Sequence, residues 1–191
     1  MARTGMQRLI DTVRGYANAA PDEWTVSTDT SYTAFWSDEE IERVLDRHKV
    51  EYIHAPMEAV QSYASGAIVY LQFRAGVPDI ESGTAVFKIE DTSGTVSGYT
   101  MDYARGVATF STDQAGKGFY WSGFAYDLNA AAADIWRMKA SHAAEQVDFS
   151  TDNHSIKRSQ QAQSCLAMAQ YYQNRSTSEG VGSTKIVRDD L

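Results

Sequence analysis

Two changes of hydrophobic period divide this chain into three segments. As far as residue 49 the apolar residues recur every three or four positions, from Val50 they alternate, and from Asp127 the helical spacing returns. A period of 3.6 buries one stripe of a helix and a period of two buries one face of a strand, so neither pattern suits the other structure. Pro56, which a helix interior does not hold, marks the first change. The expected fold class is therefore α+β: two N-terminal helices, a small antiparallel β-module, and a C-terminal antiparallel helical hairpin with an extended tail. Residues 1–175 read as a single domain, its helical segments 1–49 and 127–175 enclosing a β-module at 50–126. Residues 176–191 form the tail.

The first helix carries Met6, Leu9, Ile10, Val13, Tyr16 and Ala17 on one stripe, with Pro21 as its stop. Residues 22–33 are polar and turn-rich, with Trp24 as their one strong anchor. The second helix has the clearest start. Ser37 at the N-cap and Glu40 three residues on make a capping box, and Trp36 and Ile41 make a hydrophobic staple across it. Asp38, Glu39 and Glu40 suit the positive end of the dipole, and Ile41, Val44, Leu45 and His48 continue the apolar stripe.

In the β-module, residues 67–73 and 84–90 are β-rich. Asp91-Thr92-Ser93-Gly94 reads as a turn into a returning strand at 95–101. A second turn at 102–106, a strand at 107–110 and a loop at 113–118 lead to the aromatic run 119–126. Five or six short strands predict a small antiparallel sheet or half-barrel. Residues 128–147 are alanine-rich and helical, with Leu128, Ala131, Ile135, Met138 and His142 at heptad spacing. After a polar break at 148–154, Asn153 or Ser155 can cap a last helix running to about Asn174, with Ala162, Cys165, Leu166, Ala169 and Tyr172 as its stripe. The tail is Gly/Ser-rich and then strand-like at Thr184, Lys185, Ile186, Val187 and Arg188.

Seventeen basic against twenty-five acidic side chains give a net charge of −8, and residues 1–127 carry all of the excess. An acidic chain without a basic stripe is a poor candidate for wrapping nucleic acid, since phosphate neutralisation supplies most non-specific affinity. Acidity instead suits a surface that nucleic acid passes without sticking. One cysteine, Cys165, excludes an internal disulfide framework and a Cys-rich metal site. The longest apolar run, 67–71, is far short of a membrane span. The first eight residues lead into no apolar signal core, which argues for synthesis in a reducing cytoplasm and against Sec export.

A search for chemistry returns little. Gly116, Gly118 and Gly123 lack dinucleotide-loop spacing because Trp121 stands where the third glycine belongs, and there is no P-loop or nucleophile elbow. His48, His54, His142 and His154 form no ligand pair, and His48 and His142 lie on apolar stripes where core or interface histidines are commoner. The 148–154 segment resembles a calcium loop, yet Asn153 and Ser159 occupy the positions that need Gly and Glu, so helix-corner capping is the better reading. Cys165 reads as a small buried hydrophobe, the run 38–42 as a dipole-matched helix start, and Lys157 and Arg158 as a wet helix face. The expectation is a non-enzyme, with no catalytic residue, metal or cofactor.

Four phrases resemble the head–tail connector (adaptor) proteins of tailed bacteriophages: Leu9-Ile10-Asp11-Thr12-Val13-Arg14; residues 36–48 from Trp36-Ser37-Asp38 to His48; Tyr126-Asp127-Leu128-Asn129 followed by the alanines to Trp136; and residues 148–160 from Asp148-Phe149-Ser150 to Gln160. The likeness spreads over most of the chain, and the last two phrases are its more specific portion. It implies a non-enzymatic virion protein, assembled in the host cytoplasm. As a homo-oligomeric ring, commonly of 12 copies, it would sit beneath the portal protein and extend the DNA channel toward a downstream neck or tail protein. Packaged DNA would pass without sequence-specific binding, and no membrane partner is implied. Beside that resemblance, Trp136, Met138 and Tyr171 are candidates for subunit interfaces. The segment Thr184, Lys185, Ile186, Val187 and Arg188 is a candidate for adding to the sheet edge of a partner such as portal. Three rival readings stand alongside it. They are a stopper or tail-completion ring, a carbohydrate- or small-molecule-binding domain using the aromatic strand 119–126 with Trp121, and an enzyme with a dispersed site including His54 or His154.

Overall fold

The N-terminal stripe does form a helix, α1 (Gln7–Ala17), burying Leu9, Ile10, Val13 and Ala17. It stops short of Pro21 because Asn18 turns left-handed (φ 48°) and the Ala19 N–H closes onto the Arg14 carbonyl at 3.0 Å. The computed structural model describes residues 2–20, 25–28, 31–34, 36–64, 66–144, 149–151, 154–156 and 158–176, with the backbone alone for 25–34 and 149–159. Its remaining elements in chain order are β1 (Thr25–Thr28), β2 (Ser31–Ala34), α2 (Asp38–Asp46), β3 (Lys49–Pro56), β4 (Glu58–Ala64), β5 (Ala67–Arg74), β6 (Lys88–Asp91), β7 (Gly94–Thr95), β8 (Tyr99–Asp102), β9 (Val107–Phe110), β10 (Tyr120–Tyr126), α3 (Leu128–Ala144), β11 (Phe149–Thr151), β12 (His154–Ile156) and α4 (Arg158–Gln173). The α+β class and the helix, helix, β-module, helix, helix order are as expected.

The second helix starts as read. Ser37 Oγ accepts from the Glu40 N–H at 3.3 Å, and Trp36 and Ile41 lie in one buried cluster. That cluster is the helical core: α1, Trp36, α2 and the Leu128, Ala131 and Ile135 face of α3, closed by Tyr126. α3 is buried nearly all round, and its alanines let α4 approach closely. Asn129 donates to the Arg175 carbonyl (3.3 Å) and Arg137 to Gln173 Oε1 (2.7 Å), tying the two helices. Among the described side chains, α4 buries Cys165 and Ala169; Leu166, expected on its stripe, is exposed.

The β-module holds more strands than the five or six expected. Eight form two four-stranded antiparallel sheets, ordered β3-β10-β6-β7 and β4-β5-β9-β8. The inner faces share one core, in which Phe73 and Phe110 from one sheet meet Trp121 and Ile89 from the other, with Phe119 between. Phe73 sits edge-on to Phe119 (centroids 4.7 Å apart), and Phe119 stacks on Phe110 at 4.9 Å. Two segments pass from sheet to sheet. β3 and β4 are one strand bent at Met57, whose N–H donates to the Phe119 carbonyl at 2.8 Å. The return expected at 95–101 is likewise divided, β7 pairing with β6 and β8 with β9. Crossing strands are the usual way two sheets turn a corner. Residues 84–86 are a turn, so the strand expected at 84–90 begins only at Lys88.

Two further expectations are corrected in backbone terms. The polar stretch 22–33 contains the hairpin of β1 and β2, and the break at 148–154 contains the hairpin of β11 and β12. Ser155 therefore lies in a strand, and α4 begins at Arg158. In both places strand pairing satisfies the backbone polar groups locally without an apolar period to announce it. Asn153 and the tail from Thr177 onward lie outside the described residues.

Candidate functional site

The chemistry-bearing residues do not converge. His48 Nε2 lies 2.9 Å from Asp134 Oδ2, half-buried between the end of α2 and α3, which fits the structural reading. His54 is exposed at a β-bulge, where two residues of β3 face Ser122 of β10. Its backbone is left-handed (φ 52°), its N–H donates to Ser122 Oγ (2.9 Å), and its ring stacks on Tyr120 at 4.1 Å. His54 Nδ1 is 3.6 Å from Glu90 Oε2. The Lys88 hydrogen bond, with His54 beside it, holds the Glu90 carboxyl below the ordinary carboxylate range. His142 is half-buried on α3, and the side chain of His154 lies outside the described residues. Cys165 is a buried thiol on α4. Among the described residues no three His, Cys, Asp or Glu side chains gather as a metal site.

The aromatic strand is core rather than platform. Trp121 is 0% exposed and its Nε1–H donates to the Ala75 carbonyl at 3.2 Å, while Phe119 is buried beside it. On the other face Phe124 packs against the helical core with the Lys49 ammonium 4.6 Å from its ring centroid. An open ligand face carried by Trp121 is absent from this strand, because period-two alternation put its largest side chain between the sheets.

Buried charge collects where helices meet sheet. Glu81 is 2% exposed and accepts a hydrogen bond from the Tyr126 hydroxyl at 2.6 Å. Arg3 reaches Glu42, Asp46 and, at 3.9 Å, Glu81. Arg8 donates to Asp79 at 3.0 Å and to the Ile80 and Tyr103 carbonyls. Burial, with Glu81 adding to it, pushes the Tyr126 phenol well above its ordinary value. Burial also raises the Asp79 carboxyl, against the pull of Arg8. These groups satisfy one another, so the cluster is a clasp between layers.

Several large apolar side chains also face outward. Leu166, Met168 and Tyr171 are exposed on α4; on the sheets, Val50 and Ile53 of β3, Tyr63 of β4 and Ile68 of β5 are exposed, Ile53 and Tyr63 by 76% and 77%. β3 and β4 are also the free edges of their sheets, so the bent strand is an edge along its whole length. Of the interface candidates, Tyr171 stands at this surface. Trp136 and Met138 are engaged within the chain: Trp136 Nε1–H donates to the Tyr16 carbonyl (3.2 Å), and Met138 packs on the helical core. Lys139, which the sequence reading did not single out, is 3% exposed, donates to the Asn18 carbonyl at 2.8 Å and holds the left-handed end of α1. Thr184, Lys185, Ile186, Val187 and Arg188 lie outside the described residues. Ile53, Tyr63 and Ile68 were missed. The adjacent apolar pair Tyr52-Ile53, which breaks strict alternation, is the signal that could have revealed the first.

Two recesses are open on the surface. One, about 290 Å³, lies between Asn18, Trp136, Lys139 and the Cys165 side of α4; the other, about 450 Å³, lies at the end of β5 beside the 102–106 turn. No helix among the described residues is long and apolar enough to cross a membrane. Compared with known protein families, with curated proteins and with solved structures, the chain matches none.

Proposed function

We propose that this chain is a structural ring subunit, a head–tail connector of a tailed-phage virion that sits beneath the portal and extends the DNA channel toward the tail. The observation that carries the reading is that large apolar side chains are exposed in both layers, Leu166, Met168 and Tyr171 on α4 and Ile53, Tyr63 and Ile68 on the sheets. A ring contact is heterologous, so each subunit needs two unlike surfaces, one for each neighbour. Ile53 and Tyr63, exposed by 76% and 77% on the edge strands β3 and β4, are side chains that an assembly would cover. The absence of a convergent acid–base set among the described residues is compatible with a scaffold role. In this reading the partners are further copies of the chain (12 being the expected ring), the portal, and a downstream neck or tail protein. No chemical step is assigned to any residue.

Mass by light scattering tests it, on the protein alone and mixed with its candidate portal. A closed ring in either sample is the expected result, and a monomer that ignores portal overturns the proposal. Replacing Leu166→Glu together with Tyr171→Glu is expected to abolish the ring while leaving the circular dichroism of the single chain unchanged, since both side chains are exposed in it.

A further inference from the structure

In so acidic a chain, five arginines among the described residues are neutralised at home. Arg3, Arg8, Arg14, Arg43 and Arg137 each lie 3.0 Å or closer to a carboxylate oxygen. Arg74, at the end of β5, has no such partner among the described residues. Arg105, in the turn between β8 and β9, is 83% exposed and reaches Asp102 only at 3.9 Å. Both line the 450 Å³ recess, together with Glu58, Gly76, Val77 and Pro78.

The floor of this recess is held by backbone. The Ala75 N–H donates to the Gly106 carbonyl (2.8 Å) and the Asp79 N–H to the Ala104 carbonyl (3.2 Å). Gly106 has φ +66°, and a Cβ there would stand 2.1 Å from the Val77 carbonyl oxygen. The N–H groups of Gly76 and Val77 have no acceptor among the described residues. Two arginines from different elements and two available backbone donors thus line one concavity.

We infer that this recess is a binding site for a phosphoryl anion, either free phosphate or a phosphodiester of nucleic acid. A carboxylate is planar and one guanidinium fork satisfies it. A tetrahedral anion has oxygens to spare for a second fork and for backbone N–H groups. Glu58, the cross-strand partner of Arg74, lines the same recess and sets the affinity low by like-charge repulsion. The inference does not depend on the ring reading, because it concerns the single chain.

The test is titration of the full chain with inorganic phosphate at neutral pH, followed by the amide resonances of Gly76, Val77 and Gly106. Saturable shifts confined to these residues are expected. Arg74→Ala with Arg105→Ala should weaken the binding about ten-fold or more, the loss of two charge-assisted contacts. Glu58→Gln should tighten it, a gain that damage to the fold would not produce. A short DNA duplex that displaces phosphate identifies nucleic acid as the source of the anion; a duplex that fails to compete identifies free phosphate. Shifts that are absent, do not saturate, or survive the double replacement overturn the site.

Discussion

Tyr126 and Glu81 show how single side chains settle a buried charge at the boundary of two layers. The hydroxyl donates to a carboxylate that has almost no access to water, so Tyr126→Phe removes the 2.6 Å contact and leaves the charge buried. The expected cost is about 1–3 kcal/mol by urea denaturation near neutral pH. Alkali gives a second readout. The unfolded phenol releases its proton near its ordinary value of 10.0, while the folded one holds it, so wild-type stability falls as pH rises above that value. The Phe variant should lack this share of the alkaline decline. Asp79 acts in the acid range with the same sign. Its folded carboxyl is raised by burial, so its contribution is fully present below the ordinary value of 3.8 and is lost as pH climbs through the folded value. Asp79→Asn, which can still accept from Arg8 and tolerates the φ of 57°, should gain on wild type across that rise. Parallel denaturation curves at every pH would contradict the assignment.

At the scale of elements, two glycines make opposite predictions. Gly106 lies against the Val77 carbonyl in a left-handed turn, so Gly106→Ala adds both a steric overlap and an unfavourable φ. Its expected cost is at least about 2 kcal/mol. Gly15 is helical and exposed in α1, with nothing within 4 Å of an added Cβ. Gly15→Ala should stabilise the fold by about 0.5–1 kcal/mol. Thermal unfolding of the two variants beside wild type checks both signs. The same contrast explains what was legible in advance. Ser37, Trp36 and Ile41 announced α2 because capping is written in neighbouring residues. The hairpins of β1–β2 and β11–β12 were not, since a short polar hairpin has no apolar face to reveal it. The β-module was seen as strands but not as two sheets. Sheet switching at Met57, and again between β7 and β8, depends on which distant strand is met, and alternation along one strand does not encode that.

For the whole molecule, the α+β order followed from the two changes of period, but the distribution of sites did not. Trp136 and Met138 were chosen as large residues on an alanine-rich helix, and in the single chain both are half-buried, Trp136 bonded to the Tyr16 carbonyl and Met138 packed beside the helical core. Tyr171 stays outside because, among the described residues, α4 lies chiefly against α3. Side-chain destinations of this kind depend on the packing of the whole chain.

The helical layer and the β-module are joined covalently at only two places, where α2 runs into β3 and where β10 runs into α3. Those places are neighbours: Lys49 pairs with Tyr126, and the Asp127 N–H donates to the His48 carbonyl at 3.2 Å. The two crossings are thus stitched together by backbone, and the contacts of Arg3 with Glu81 and of Arg8 with Asp79 tie the layers through charge. The first kind of tie is made of backbone hydrogen bonds and the second of ion pairs, and salt screens only the second. Added salt is therefore expected to weaken the ion-paired part of the contact between the layers while leaving in place its backbone and apolar parts, Phe124 against the helical core among them.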